Sequence, residues 1–189
     1  MNIEIAQSRT VYEGWAKFSV ATFRLGGGET IRREIEDHGR AAAVLPYDDV
    51  RKTAILIRQF RAPVFVAARE PGLLEAIAGI VEEADPEVTV RREAQEEAGL
   101  AIRLLQRIAE VWTMPGLSTE RMSLYLATYG ASDRTSAGGA AARERELIDV
   151  VELPLRELAL LADSGRLADM KTLALVQSLR LRRPDLFEG

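Results

Sequence analysis

Residues 85–100, DPEVTVRREAQEEAGL, carry a start signal and a stop signal, and that bracket constrains the fold more than any other stretch of the 189-residue chain. Asp85 offers a short oxygen side chain to free backbone N–H groups, which suits a helix N-cap, and Pro86 fits the first helical position. Gly99 stands where a left-handed residue ends a helix. The spacing predicts a helix running to Ala98. Stretches around it read differently. WAKFSVATFRL (15–25) and IRREIEDHG (31–39) have the composition of a strand hairpin closed by the turn GGGET (26–30). AAAVLPY (41–47) and TAILIRQF (53–60) are apolar runs of a sheet interior, separated by DDVRK, and LLEAIAGIV (73–81) is another apolar stretch. IRLLQRIAEVW (102–112), RMSLYLATYG (121–130) and LIDVVELP (147–154) complete the strands, with a small, polar loop over 131–146. PLRELALLADSG (154–165) and DMKTLALVQSLRLR (169–182) are helical. One helix flanked by strands, with helices at the end, predicts an α/β fold of the mixed-sheet sandwich type rather than a regular βαβ series.

The bracketed helix has an unusual charge pattern. At about 100° per residue, Val90, Ala94 and Ala98 form a narrow apolar stripe. Glu97 falls roughly 60° from its centre and Glu93 about 100°, on the same side, while Glu96 points farther away. Carboxylates one turn apart repel each other. Two readings follow. The helix is an exposed acidic face balanced by Arg91 and Arg92, or its glutamates share a cation. Hard oxygen ligands at this spacing suit Mg²⁺, with Mn²⁺ as a substitute.

Composition removes several alternatives. The chain has no cysteine, so it has no disulfide framework, thiolate metal site or cysteine nucleophile. That fits a reducing compartment, and a cytoplasmic location is expected. The opening MNIEIAQSRT is too polar for a signal peptide, and no run of roughly 18 apolar residues spans a membrane. A net charge of −4 and a pI near 5.3 argue against a nucleic-acid surface. His38 is the sole histidine, without a partner at metal-ligand spacing, and reads as structural or solvated.

The residues around the helix carry a resemblance. GIVEEADPEVTVRREAQEEAGL (79–100) resembles the Nudix box, the loop–helix–loop signature of Nudix hydrolases. Gly79 fills the start of the pattern; Arg92, Glu93, Ala94, Glu96, Glu97, Gly99 and Leu100 fill its second half. The chain departs twice: Asp85 replaces the first glutamate, and six rather than seven residues separate it from Arg92. LIRQFRAP (56–63), LLEAIAG (73–79), MPGLSTE (114–120), ELP (152–154) and DMKT (169–172) resemble the branch that cleaves ADP-ribose and other nucleoside diphosphate sugars. The AGG loop (137–139) and the shortened box look most like its GDP-mannose pyrophosphatase members.

The resemblance implies a Nudix fold, an α/β/α sandwich over residues 41–189, preceded by an N-terminal antiparallel β-region (1–40) used in homodimerisation. It implies Mg²⁺-dependent hydrolysis of a pyrophosphate to a nucleoside monophosphate and a sugar 1-phosphate, with GDP-mannose favoured and ADP-ribose second. Glu93 and Glu97 would ligate metal with the backbone carbonyl of Ala78, Glu96 would contribute through water, and Arg92 would orient the glutamates. Glu146 matches the family's loop carboxylate, as a ligand or general base, and Glu144 is its alternative; RERE also reads as an ordinary charged segment. Glu120, Arg61 and Lys171 would reach substrate, although each also reads as a surface or paired charge. Trp15, Arg32, Arg33 and Glu34 would help hold the base, although Trp15 also reads as core. Other classes stay open: a Nudix-fold module that senses a nucleotide sugar without cleaving it, and a structural dimer.

Overall fold

In the computed structural model, residues 2–139 and 147–188 are described; Glu144 and Glu146 lie outside them. The chain divides into two units. The first is Met1–Ala41 with Val111–Met122, and the second is Ala42–Glu110 with Ser123–Gly189.

The first unit is built on a three-stranded antiparallel sheet in the order β1 (Ile3–Glu13), β2 (Lys17–Leu25), β3 (Thr30–Asp37). The glycine turn forms as expected: Gly28 N donates to Leu25 O at 2.8 Å, and Leu25 N to Glu29 O at 2.8 Å. β1 is an addition to the sequence expectation. Every one of its 11 residues is exposed, so no buried face imposes an alternation that a reader of the sequence could detect. Two register breaks interrupt it, at Ile5/Gln7 and Thr10/Tyr12, each placing an extra residue in β1. The segment 114–120 turns at Pro115 and Gly116, where Met114 O accepts from Leu117 N and Ser118 N. It then runs beside β3: Glu36 N donates to Leu117 O and Thr119 N to Glu36 O, each at 2.9 Å.

The second unit holds a seven-stranded sheet. Its order is β10 (Ile148–Pro154), β5 (Thr53–Gln59), β4 (Ala41–Asp48), β9 (Arg121–Thr128), β8 (Leu105–Trp112). β6 (Leu73–Glu75) pairs with β5, and β7 (Ile77–Ile80) with β4. Both faces are covered, since adjacent residues Ala42, Ala43, Val44 and Leu45 of β4 are all fully buried. One face joins Ala42, Val44, Ile55 and Ile57 to Val90, Ala94 and Ala98 of α2 (Pro86–Ala98) in one core cluster. Burial of Val90 alone stabilises by roughly 2 kcal/mol. α3 (Leu155–Asp163) and α4 (Met170–Arg182) add the buried Leu155, Leu158, Leu175, Val176 and Leu179.

Two elements depart from the sequence reading. The stretch 73–81 is two short strands, β6 and β7, with Ala76 between them. Residues Ala62–Ala68 form α1, which the sequence did not announce. It spans only 7 residues and buries none of them, so helical periodicity has nothing to register. Arg61 is the N-cap position of this helix.

Candidate functional site

α2 is bracketed as its sequence requires. The Asp85 side chain accepts from Glu87 N at 2.9 Å, and Gly99 closes the helix at φ 62° with its N–H reaching back to Gln95 O. The calculated wheel positions translate into burial in the same order: Glu97 is 5 % exposed, Glu93 half-buried and Glu96 exposed. Glu93 lies directly over Gly79 of β7. A Cβ at Gly79 would collide with the Glu93 carboxylate and its Cγ, so any larger residue there would force the Glu93 side chain to shift. Arg92 sits among acids, 3.0 Å from Glu93, 3.1 Å from Glu96 and 3.6 Å from Glu83. Its guanidinium spans the outer side of the helix and fixes two of the three glutamates, which is an orienting arrangement.

These residues fit a divalent cation by their chemistry: hard carboxylate oxygens one turn apart, one of them buried, beside a glycine that leaves room for the carboxylate. Among the described residues, no three His, Cys, Asp or Glu side chains come together as a group able to hold a metal ion.

The loop after β9 docks on the C-terminal end of α2. Thr135 N donates to Gly99 O at 2.7 Å, Gln95 Nε2 to Thr135 Oγ1 at 2.7 Å, and Gly139 N to Glu97 O at 2.8 Å. Gly138, at φ 71°, lies so near the backbone of Glu97 and Ala98 that a Cβ would stand 2.6 Å from it. Gly138 therefore has a local cause: it lets the chain pass flat against the helix carrying Glu97, while Gly139 takes a left-handed φ of 94°. The described segment ends at residue 139, and the expected base Glu146 and its alternative Glu144 lie beyond it.

A second polar centre in this unit lies on Glu75, whose side chain is 2 % exposed. Arg61 donates to it through Nε at 2.8 Å and through a second guanidinium nitrogen at 3.1 Å. Lys171, 12 % exposed and next to the N-terminus of α4, also donates to Glu75 and lies 3.1 Å from Asp169. Asp169 caps α4 through Thr172 N at 3.0 Å, and Ala76 N donates to Thr172 Oγ1 at 2.6 Å. Burial alone would raise the Glu75 pKa; the Arg61 and Lys171 cations outweigh it and hold the carboxyl below its ordinary value. The two cations expected to reach substrate are thus brought together on one carboxylate. Sequence reasoning passed over Glu75, although a lone glutamate inside the apolar run LLEAIAG is itself a sign of a paired buried charge.

The first unit gathers the other expected residues. Arg32, Arg33 and Glu34 lie exposed on β3. Arg33 and Glu34 line a cavity of about 460 Å³ with Phe23, Trp112, Leu117 and Thr119. Trp15, 76 % exposed, is not core; it stacks on His38 with ring centroids 4.9 Å apart. His38 in turn stands between two acids, with Nδ1 2.5 Å from Glu36 and Nε2 3.3 Å from Glu120. Glu120 also accepts from the Thr113 hydroxyl. Strand alternation places Glu36 and His38 on one side of the chain, a signal visible in the sequence, whereas no local pattern announces the approach of Glu120.

Residues 37–175 match the family described as NUDIX domain. The GDP-mannose pyrophosphatase of Cronobacter sakazakii is 36 % identical over 187 residues, 96 % of this chain and 97 % of that protein. That of Pectobacterium atrosepticum is 36 % identical over 185 residues, 95 % of each chain. A crystal structure described as an ADP compounds hydrolase, 17 % identical, shares the fold at a TM-score of 0.78 over 98 % of this chain and 96 % of its own.

Proposed function

The chain belongs to the NUDIX domain family, and from that premise we propose that it hydrolyses the pyrophosphate bond of a nucleoside diphosphate sugar with the help of a divalent cation. GDP-mannose is the first substrate, because relatives aligned along nearly the whole chain bear that name. ADP-ribose is second, on the strength of the LIRQFRAP and MPGLSTE resemblance. The products are a nucleoside monophosphate and a sugar 1-phosphate.

The observation that carries this reading is the pair Glu93 and Glu97, one turn apart on α2, one against Gly79 and the other buried. An acidic pocket holds an anionic pyrophosphate only if a cation lies between them. When bound, Mg²⁺ or Mn²⁺ supplies charge neutralisation at the phosphate oxygens and a more acidic water. Glu93, Glu97 and the carbonyl of Ala78 hold it, with Glu96 acting through water. Arg92 keeps Glu93 and Glu96 in place. Glu146, or Glu144 in its stead, removes a proton from the attacking water or completes the ligand set. Arg61 and Lys171 turn from Glu75 toward phosphate while staying within reach of it; a guanidinium suits a bidentate contact. Glu120 meets substrate, and Trp15, Arg32, Arg33 and Glu34 border the base.

Residues 1–40 serve in this reading as a dimerisation region and 41–189 as the hydrolase domain. A homodimer is supported by the fully exposed β1, which presents Ile3, Ile5, Val11 and Tyr12. Among the described residues no helix is long and apolar enough to cross a membrane; a cytoplasmic location belongs to this reading as an expectation. The deciding experiment is product release from GDP-mannose and ADP-ribose in parallel, with Mg²⁺ and with a chelator. Metal-dependent monophosphate from one sugar over the other is expected. Binding of both without product would replace the hydrolase by a nucleotide-sugar sensor.

A further inference from the structure

The sole histidine stands at the centre of a closed polar cluster in the first unit. Its two ring nitrogens face different carboxylates, Glu36 at 2.5 Å and Glu120 at 3.3 Å. Neutral imidazole has one N–H and can donate to only one of them; imidazolium donates to both. The cluster is tied further by Ser118, whose hydroxyl donates to Glu36 at 2.5 Å and accepts from Glu120 N at 3.0 Å. Thr113 holds the other carboxylate oxygen of Glu120. All three charged side chains are sheltered: His38 is 16 %, Glu36 10 % and Glu120 13 % exposed. Trp15 stacks on the imidazole face, an arrangement that favours a cation. Other charges nearby include Asp37, next in the chain, Lys17, its cross-strand neighbour on β2, and Arg121, which follows Glu120 and lies over the Trp112 ring. Without a positive charge between them, Glu36 and Glu120 would be two sheltered carboxylates held together by one ring and one serine.

We propose that His38 is a positioning residue: as imidazolium it clamps Glu36 and Glu120 and so fixes the carboxylate of Glu120 for its contact with substrate. This rests on the reading of Glu120 given above. The protonation it requires agrees with the balance of forces on the ring, where burial favours the neutral form but the bonds to Glu36 and Glu120 outweigh it and raise the pKa. Above that pKa one of the two bonds is lost, and the clamp joining Glu36 to Glu120 opens.

Because the chain has one histidine, its imidazole resonances in a proton NMR titration need no assignment. The expected result is a pKa above the ordinary value of about 6.5 in the intact protein, lowered in both Glu120→Gln and Glu36→Gln. An ordinary value that neither substitution moves overturns the clamp. The second readout is kcat/KM on the cleaved nucleotide sugar as a function of pH. Intact enzyme should lose activity as pH rises through the NMR value. His38→Gln should lower kcat/KM about tenfold and abolish that limb, the size expected for a group that orients another. His38→Arg keeps a cation and should recover most of the activity, without the limb. A His38→Gln enzyme with full activity and an unchanged profile overturns the proposal, as does a His38→Arg enzyme no better than His38→Gln. The two readings fail separately: a perturbed, Glu120-dependent histidine in a protein that cleaves no nucleotide sugar strikes the hydrolase, and an ordinary histidine in an active one strikes the clamp.

Discussion

On α2, one guanidinium, Arg92, is divided among three carboxylates, Glu83, Glu93 and Glu96, while around Glu75 one carboxylate is gripped by two cations, Arg61 and Lys171. Both regions lie in the same unit and both bury a glutamate, yet the ratio of charges is inverted. Removing one partner from a satisfied buried pair strands its counter-charge and is costly. Removing one carboxylate from a crowded acidic helix relieves repulsion. The same change, Glu→Gln, should therefore act on function in one region and on folding in the other.

The largest effect is expected at Glu97. Glu97→Gln keeps size and should lower kcat/KM roughly a hundred- to a thousandfold while the thermal midpoint without metal stays level or rises. Near-normal turnover would break the comparison at its first term. Next comes Glu75→Gln, which leaves Arg61 and Lys171 without their common anion; urea unfolding should show a loss of about 3–5 kcal/mol. A loss below about 1 kcal/mol would mean that the second centre is solvated and not structural. Adding Mg²⁺ sharpens the contrast. At about 100 times its dissociation constant it should stabilise the intact protein by roughly 2.7 kcal/mol, and Glu97→Gln far less. Equal shifts in both would place the ion elsewhere. The smallest effect is the response to acid. Because the folded-state pKa of Glu75 is lowered, its contribution is present above the unfolded value of about 4.3 and is lost as pH falls through the folded one. Glu75→Gln should flatten the stability curve below about pH 4, and an unchanged slope would remove Glu75 as its source.

α2 was legible because its information is local. Asp85, Pro86 and Gly99 act within a turn of themselves, and the apolar stripe fixes the side of Glu97 without reference to anything distant. The strand runs 41–47 and 53–60 were legible for the opposite reason: burial on both faces of 42–45 and 54–57 leaves only apolar residues to read there. β1 and α1 escaped because neither buries a face that would stamp a period on the sequence. The Glu75 and His38 centres escaped because their partners come from far along the chain. Lys171 follows Glu75 by 96 residues, and Ser118 follows Glu36 by 82. Motif resemblance supplied Arg61, Lys171 and Glu120 as substrate residues, but the ties that restrain them are visible only in three dimensions.

β1 has a consequence for what its sheet edge can template. It is the edge of its sheet, long and wholly exposed, and an edge of that kind invites further strands without limit. Its two extra residues, at the Ile5/Gln7 and Thr10/Tyr12 breaks, bend and twist the strand, so straight, in-register stacking of copies cannot propagate along its length. The irregularities work against a straight, repeating edge, the geometry from which a fibre would be templated.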